Sequence, residues 1–319
     1  MNKQPLVSFI LLSYNQEKYI KEAVIGALKQ TYEPLEIIFS DDCSIDATYE
    51  IIEKEVSGYS GAHKIIMNRN PKNMGIAGNI NEAISKSTGD FIIMAAGDDI
   101  SLPDRTTLLV NRWKDKKTPV DLVCSYFQEM EENGAITDYV KKNVVFIPKI
   151  EQSVRNWCCG ATGACAGYSR KLFVKYGPLD SRIISEDWVL SFRAWAESGI
   201  GLIERPLVLH RKHNDCLSMI HKTNRNKTPQ ERRNTRYKII GDALARTIDW
   251  LKVWELTSEK RNKRIETELK NHIKLLELEW NAYASGRFKA LKASALAFSI
   301  TGGLKIGSRI FVRNFLRIN

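Results

Sequence analysis

Four short apolar runs in the first hundred residues constrain the fold most strongly, because each ends in polar or acidic side chains. They are VSFILLS (Val7–Ser13), LEIIFS (Leu35–Ser40), KIIMN (Lys64–Asn68) and FIIMAA (Phe91–Ala96). The intervals between them carry helical periodicity, as in residues 17–30, whose apolar side chains fall on one helical face. Strands that alternate with helices predict a doubly wound α/β sheet with parallel strands.

The polar residues that end these runs are expected to share one crevice, because ligands bind at the carboxyl ends of strands in such sheets. Three clusters stand there: Ser13–Tyr14–Asn15, Asp41–Asp42 and Gly97–Asp98–Asp99. Paired carboxylates supply the oxygen ligands that Mg²⁺ and Mn²⁺ prefer, so Asp98 and Asp99 form a candidate metal site. Either acidic pair can equally be a solvated turn or a helix cap, and the residues alone leave both interpretations open.

The pattern beyond residue 110 is less regular. Strand-like runs are Asp121–Tyr126, Val144–Pro148 and Gly201–His210. Glu186–Trp195 predicts a helix that begins with two acids. Gly160–Gly167 (GATGACAG) predicts a loop whose backbone another group can approach closely. From about residue 225 the chain is predicted to be helical, and apolar residues between Ile265 and Tyr283 recur every three or four positions, as in an amphipathic helix.

Charge is distributed unevenly along the 319 residues. The chain has a net charge of +11, but residues 205–319 alone carry 25 Lys and Arg against 10 Asp and Glu. Near the C-terminus, Lys305, Arg309, Arg313 and Arg317 recur every four residues. A basic helix with an apolar opposite face is typical of an anionic membrane surface. Packing of that helix on the rest of the chain remains an alternative, and the absence of a recognisable nucleic-acid-binding module argues against nucleic acid.

The termini and cysteines favour a cytoplasmic protein. The first apolar run is short, and the sequence becomes polar after Ser13, so no export signal is predicted. The longest uncharged stretch near the C-terminus, Ala293–Leu304, is too short to form a membrane-spanning helix. None of the six cysteines has C-x-x-C spacing, so reduced thiols are predicted rather than disulfides or zinc.

Six blocks of this sequence resemble a family 2 inverting glycosyltransferase with the GT-A fold. The first four are VSFILLSYN, SDDCSIDAT, NPKNMGIAGNINEAI and GDFIIMAAGDDISLPDR; SEDWVLSFRAWAESG resembles a later acidic motif, and LHRKHNDCLS resembles the motif closing the catalytic domain. The resemblance implies an α/β GT-A fold, which is a Rossmann-like, mixed sheet with helices on both faces. The catalytic domain would cover residues 1–220, with a nucleotide-sugar half (1–110) and an acceptor half (111–220), and residues 221–319 would form a basic helical C-terminal region.

The resemblance also implies roles for individual residues. The implied donor-binding residues are Ser13, Tyr14, Asn15, Asp41, Asp42, Asn73, Gly75, Asn79, Gly97 and Asp98. Among them, Asp41 would contact the nucleotide base. Mn²⁺ or Mg²⁺ would be held by Asp98, Asp99 and His213, beside the diphosphate. Asp187 resembles the general base that deprotonates the acceptor hydroxyl, and Glu186 is the alternative base.

Several positions depart from the family pattern. Ser13 stands where Pro is common, and Cys43 replaces the glycine of Asp-Asp-Gly-Ser. Gly78 replaces the arginine of Ala-Arg-Asn, so a basic diphosphate contact is not supplied there. Ala96 replaces the first Asp of D-x-D-D, which leaves Asp98 and Asp99 as the acidic metal ligands. The Q-x-x-R-W signature of processive synthases is absent, which favours transfer of one sugar per acceptor.

The function implied by the resemblance is metal-dependent, inverting transfer of a sugar from a UDP- or dTDP-linked donor. The acceptor would be the hydroxyl of a glycan or of a polyprenyl-diphosphate-linked saccharide. The setting would be the inner face of the cell membrane, in bacterial O-antigen, capsule or exopolysaccharide assembly. Two alternatives stay open: a non-catalytic nucleotide- or glycan-binding protein on the same fold, and a nucleotidyltransferase. The latter would typically carry a Gly-rich basic phosphate loop after its first strand, unlike Ser13–Glu17.

Overall fold

A computed structural model describes residues 4–141, 160–213, 228–257 and 263–285 of the chain. These residues form two compact units, the first ending at residue 213 and the second beginning at residue 228. The strand predicted at Val144–Pro148 and the basic stripe at residues 305–317 lie outside the described residues.

The first unit is built on one sheet. Its strands within the described residues are β1 Val7–Ser13, β2 Leu35–Asp41, β3 Lys64–Arg69, β4 Phe91–Ala96, β5 Ile100–Ser101, β6 Leu122–Met130, β7 Ile136–Lys141, β8 Ala166–Ser169 and β9 Ile200–Arg211. Its helices are α1 Ile20–Leu28, α2 Thr48–Ser57, α3 Gly75–Lys86, α4 Arg105–Trp113, α5 Lys171–Tyr176 and α6 Glu186–Ala196. The strand order is β3-β2-β1-β4-β8-β6-β9-β5, and β7 pairs with β6.

The amino-terminal half of the sheet is parallel, as the sequence predicts. β1 lies between β2 and β4 and runs parallel to both. The whole of β2 is buried, as expected of a parallel strand covered on both faces. Ser13 stands opposite Asp41, and Leu12 stands opposite Ala96. The ends of three strands therefore meet at one edge, where the polar clusters were expected.

The other half of the sheet is mixed, as the GT-A resemblance implies. β8 inserts between β4 and β6 and runs antiparallel to both. The predicted loop at Gly160–Gly167 is therefore partly strand, because β8 begins at Ala166. Gly167 makes this possible: a Cβ there would lie 2.5 Å from Cε1 of Phe91 on the neighbouring strand.

The core of the first unit fixes the strands against α1 and α4. Phe9, Ile37 and Ile93 from three adjacent strands pack with Val24 and Leu109, and all five side chains are fully buried. Each Å² of apolar surface removed from water contributes about 25 cal/mol to the free energy of folding, so such a cluster is the main stabilising contribution to this unit. The site residues at the strand ends therefore stand on a rigid base.

The second unit contains α7 Pro229–Thr257 and α8 Lys263–Ser285. The predicted amphipathic spacing in α8 is confirmed, since Ile265, Leu269 and Leu276 are buried. The rings of Tyr237 and Trp280 stack across the pair with centroids 5.3 Å apart. Throughout the described ranges, every helix is too short or too polar to cross a lipid bilayer.

Candidate functional site

Asp41 joins β1 and β2 at the end of the sheet. Its carboxylate has no exposed surface. Oδ1 accepts hydrogen bonds from the hydroxyls of Ser13 (3.1 Å) and Ser44 (2.5 Å), and Oδ2 accepts one from the Ser44 N–H (2.8 Å). The guanidinium of Arg69 lies 3.8 Å away. Both carboxylate oxygens are thus engaged inside the protein, and the base contact implied for Asp41 stays a prediction.

Asp42 and Asn79 tie the segment after β3 to the sheet. One oxygen of Asp42 accepts hydrogen bonds from the Asn70 amide (2.9 Å) and the Met74 N–H (2.8 Å). The Asn79 amide accepts from the Ser40 hydroxyl (2.6 Å) and donates to the Ser40 carbonyl (3.0 Å). Both side chains are almost completely buried. They form the floor under the edge of the sheet and hold α3 in place.

Other predicted donor residues are more accessible. The side chain of Tyr14 is 43% exposed, and Asn73 is exposed at the start of α3. Asn73 Oδ1 accepts a hydrogen bond from the N–H of Gly75, which has a φ of +72°. Asn15 adopts a φ of 50°, and its side-chain oxygen accepts from the Ile45 N–H. An aromatic ring and amide groups therefore border the mouth of the crevice.

Gly97 owes its identity to a neighbouring side chain. Its N–H donates to the Leu12 carbonyl over 2.9 Å. A Cβ at this position would lie 2.4 Å from Oε1 of Gln16 and 2.9 Å from Cδ1 of Ile20. The missing side chain lets the Gln16 amide lie between the ends of β1 and β4, beside Asp98. Gln16 is a site residue that the sequence did not single out.

Asp98 and His213 form a largely buried pair just beyond the ends of β4 and β9. Asp98 Oδ2 and His213 Nε2 are 2.9 Å apart, and only 4% of the histidine side chain is exposed. His213 Nδ1 is buried and finds no hydrogen-bond partner within the part of the chain that the structure describes. Asp99 Oδ1 accepts the N–H of Arg211 over 2.9 Å. Burial, followed by the charge of Asp98, raises the pKa of Asp99 well above its usual range.

This arrangement fits a divalent cation whose shell a substrate completes. No set of three or more His, Cys, Asp or Glu side chains within the described residues is grouped to hold a metal. Mg²⁺ and Mn²⁺ commonly use one or two protein ligands together with phosphate oxygens and water. Asp98 and His213 lie together at one point and are candidate ligands of this kind. One oxygen of Asp99 is already engaged by Arg211, so its role as a third ligand stays a prediction.

Glu186 and Asp187 begin α6 and lie against the 3₁₀ turn Gly163–Cys165. A Cβ on Gly163 would lie 2.5 Å from Oε1 of Glu186 and 3.4 Å from Cβ of Asp187. Asp187 Oδ1 accepts the N–H of Trp188 over 2.9 Å. The close backbone approach predicted for the glycine-rich segment is therefore an approach by Glu186. The structure brings both acids together at the start of α6.

Arg105 connects the two acidic groups and was missed in the sequence. Its buried guanidinium donates to the carbonyls of Met94 on β4 (2.7 Å) and Ala164 in the 3₁₀ turn (2.8 Å). Burial lowers its pKa to about 10. An arginine directly after a turn is usually solvated, so nothing in the sequence indicated this burial. It ties the turn that touches Glu186 to the strand that leads to Asp98.

Comparison with known proteins gives matches to glycosyltransferases. Residues 8–177 match the model of "Glycosyl transferase family 2". EpsE of Bacillus subtilis, which carries a glycosyltransferase name, is 38% identical over 105 residues, covering 33% of this chain and 37% of EpsE. The cholesterol galactosyltransferase of Borreliella burgdorferi is 32% identical over 121 residues, covering 38% and 32% of the two chains. The matches thus span well under half the length of these two relatives.

Two solved structures are similar across most of the chain. TarS 1–349 of S. aureus, in complex with UDP, has a TM-score of 0.53 at 15% identity, covering 88% of this chain and 91% of that one. The mannosyltransferase PcManGT of Pyrobaculum calidifontis, in complex with GDP-Man and Mn²⁺, has a TM-score of 0.53 at 17% identity, covering 100% and 82%. At such identities the likeness establishes the fold, which is the predicted α/β GT-A fold. Because the family match covers more than half of the sequence, the chain belongs to glycosyl transferase family 2.

Proposed function

We propose that this protein is a metal-dependent, inverting glycosyltransferase that moves one sugar from a nucleoside-diphosphate donor to an acceptor hydroxyl. The observation that carries the proposal is the linkage of two acidic groups through Arg105. Asp98 pairs with His213 at the end of the sheet. Glu186 and Asp187 lie against the 3₁₀ turn that Arg105 joins to β4. A metal-binding group and a pair of candidate bases therefore stand on one braced framework.

The donor is proposed to bind along the carboxyl edge of β1, β2 and β4. The exposed ring of Tyr14 offers an aromatic surface for the base of a UDP or dTDP donor. Ser13, Asp41, Asp42 and Asn79 shape the floor beneath it. Gly97, which has no side chain, lets Gln16 pack against the backbone next to Asp98. Asn15, Asn73 and Gly75 complete the proposed donor set at the mouth of the crevice.

Asp98 and His213, with Asp99, would hold Mn²⁺ or Mg²⁺. When bound, such a cation neutralises the charge that develops on the leaving diphosphate. The protein contributes the fixed position of the Asp98 carboxylate and the His213 ring. Burial and the charge of Asp98 disfavour a negative charge on Asp99. A cation bound beside these carboxylates would offset that cost.

Asp187 is proposed as the general base, with Glu186 as the alternative. The acceptor hydroxyl attacks the anomeric carbon and gives its proton to the carboxylate. The bond between that carbon and the donor phosphate oxygen breaks on the opposite face, so the anomeric configuration inverts. A positioned base typically contributes a factor of about 10² to 10⁴ in rate.

The acceptor is proposed to be a glycan or a polyprenyl-diphosphate-linked saccharide at the inner face of the cell membrane. This places the protein in the cytoplasm and peripherally on the membrane, in bacterial surface-polysaccharide synthesis. The support is the charge distribution, because residues 281–319 contain seven basic side chains and no acidic one. Basic segments of this kind are attracted to anionic lipid.

The test is donor-dependent transfer by two variants, Asp98→Ala and Asp187→Asn. With Mn²⁺ present, each should reduce release of nucleoside diphosphate in the presence of acceptor by at least about 10²-fold, because charge stabilisation and proton removal are lost separately. Asp138→Asn is the control, since this exposed carboxylate lies on β7 and belongs to neither acidic group. Full transfer by both variants would contradict the mechanism.

The products released, together with thermal stability, separate the two alternative functions. A binding protein would be stabilised thermally by nucleotide-sugar and release no nucleoside diphosphate. A nucleotidyltransferase would form nucleotide-sugar from sugar phosphate and nucleoside triphosphate, releasing pyrophosphate.

A further inference from the structure

Arg211 is the last residue of β9, two positions before His213, and contacts the turn after β4 that carries Asp98 and Asp99. We propose that Arg211 is a positioning residue, which fixes Asp98, Asp99 and His213 as one rigid group. This inference rests on the proposed function, because these three residues matter together only if they hold the cation. Arg211 itself would touch neither the cation nor the sugar.

The guanidinium of Arg211 joins three separate segments. Nε donates to the Asp98 carbonyl over 3.1 Å, and Nη1 donates to the Glu132 carbonyl over 3.0 Å. Nη2 forms an ion pair with Glu22 on α1. Only 2% of the arginine side chain is exposed, although its carboxylate partner is 53% exposed. One buried cation thus connects α1, the turn after β4 and the β6–β7 hairpin.

Two further contacts of this residue reach the remaining ligands. The Arg211 N–H donates to Asp99 Oδ1 over 2.9 Å. Its guanidinium lies 5.1 Å from the centre of the Tyr19 ring, and the same ring lies 4.7 Å from the His213 imidazole. The Tyr19 hydroxyl donates to a Glu132 carboxylate oxygen over 2.8 Å. Asp98 is therefore held through its backbone, Asp99 through its carboxylate and His213 through the shared tyrosine.

The geometry requires a guanidinium. Its planar fork donates in several fixed directions, whereas the ammonium of lysine is a compact point charge on a flexible stem. A lysine at position 211 could keep the ion pair with Glu22 but could not also reach both carbonyls. Residues that orient metal ligands in this way typically change metal affinity by about 10- to 100-fold when replaced.

The experiment measures binding of Mn²⁺ alone to Arg211→Lys, by the electron paramagnetic resonance signal of free Mn²⁺. We expect the Kd for Mn²⁺ to rise by about 10- to 100-fold. In transfer assays the Mn²⁺ concentration needed for half-maximal rate should rise in parallel, and the rate should recover largely at saturating Mn²⁺. A general loss of folded protein would not recover in this way.

Arg170→Lys is the matched control. Arg170 braces the other end of β4, where Nε donates to the Gly89 carbonyl and Nη2 donates to the Ser87 hydroxyl. It should lower Tm and leave the Kd for Mn²⁺ unchanged. A milder variant, Glu22→Gln, keeps the test decisive if Arg211→Lys does not fold, and it should raise the Kd by a smaller factor.

The outcomes separate this inference from the proposed function. If the wild type binds Mn²⁺ and Arg211→Lys has the same Kd, the positioning role is overturned and the proposed function stays intact. If Arg211→Lys does not fold, an unchanged Kd in Glu22→Gln overturns the positioning role in the same way. An equal loss of affinity in Arg170→Lys also overturns it, because the effect would then be one of general stability. Sugar transfer by a wild-type protein that binds no Mn²⁺ overturns metal dependence itself, and the positioning role with it.

Discussion

Two buried carboxylates at opposite ends of the sheet have their pKa values shifted in opposite directions. Burial raises the pKa of Glu36, but hydrogen bonds from Thr88, Ser8 and Gly89 together outweigh it, so the net shift is downward. Asp99 accepts one hydrogen bond from the Arg211 backbone and stands beside Asp98, so its pKa rises. The balance decides the sign: at Glu36 the donors outweigh burial, whereas at Asp99 burial and the charge of Asp98 outweigh the donor and the nearby arginines. Glu36 is thus suited to stabilising the fold, and Asp99 stands where a cation would be favourable.

Glu36→Gln tests the stabilising role. Oε1 accepts the Ser8 hydroxyl over 2.7 Å and the Thr88 N–H over 2.5 Å, so removing the charge should cost about 1.5–3 kcal/mol of unfolding free energy at pH 7. Because the folded pKa lies below the unfolded value of about 4.3, this stability is present above that pH and is lost as pH falls through the folded pKa. Urea unfolding at pH 7, 4 and 3 should show a full wild-type advantage at pH 7 that shrinks below about pH 4.

Glu33→Gln is the control for this measurement, since Glu33 is exposed three residues before Glu36 in the sequence. It should change the unfolding free energy by less than about 0.5 kcal/mol. A difference between wild type and Glu36→Gln that stays constant from pH 7 to pH 3 would contradict a stabilising role for the charge of Glu36.

At the scale of elements, the 3₁₀ turn Gly163–Cys165 and the start of α6 form one contact that bears on the choice of base. Gly163→Ala would place a Cβ 2.5 Å from the Glu186 carboxylate, so that carboxylate must shift. The same Cβ would lie 3.4 Å from Cβ of Asp187, which is an ordinary contact distance, so Asp187 can stay in place. If Asp187 is the base, we expect transfer to stay within about threefold of wild type, or about 0.65 kcal/mol of barrier.

Steady-state kinetics of Gly163→Ala, Asp187→Asn and Glu186→Gln checks this assignment. Gly58→Ala is a suitable control, because the nearest atom to its added Cβ is 3.8 Å away. Loss of about 100-fold in kcat for Gly163→Ala, with unchanged Tm, would move the assignment to Glu186, since a 1 Å displacement of a catalytic group can cost that much.

For the whole molecule, the net charge of +11 divides into a slightly acidic part and a strongly basic part. Residues 1–204 carry 23 Lys and Arg against 27 Asp and Glu, and residues 205–319 carry the excess of basic side chains. A site that combines carboxylates with a cation suits the acidic part. The basic part suits a surface of opposite charge, which is proposed to be anionic lipid.

Deleting residues 285–319 should release the protein from anionic liposomes, because it removes seven basic side chains worth about 1 kcal/mol each near such a surface. Co-sedimentation with phosphatidylglycerol vesicles measures this, with phosphatidylcholine vesicles as the uncharged control. Replacing Lys305, Arg309, Arg313 and Arg317 by Gln separates charge from apolar contact. Equal binding by the truncated chain would contradict the membrane role, and donor-dependent transfer would be unaffected by that result.

Local pattern was sufficient to predict the first four strands. The periodicity of strands and helices, and the polar residue that ends each strand, depend only on residues close together in the sequence. It was also sufficient for the order of the acidic clusters and for the buried face of α8. It failed at β8, whose four residues contain a glycine and carry too little pattern to distinguish a strand from a loop. A strand inserted between distant partners is specified by those partners and not by its own sequence.

The sequence by itself therefore determined the sheet that aligns Ser13, Asp41 and Asp98, since periodicity and strand ends are local properties. Only the tertiary structure decided which polar residues support the site from within. Arg105 and Arg211 are charged side chains that a sequence assigns to the surface, and their burial depends on carbonyl groups and carboxylates more than 50 residues away in the chain or on other elements. Charges enter the interior only where such partners offset the cost of leaving water, and those partners exist only once the chain has folded.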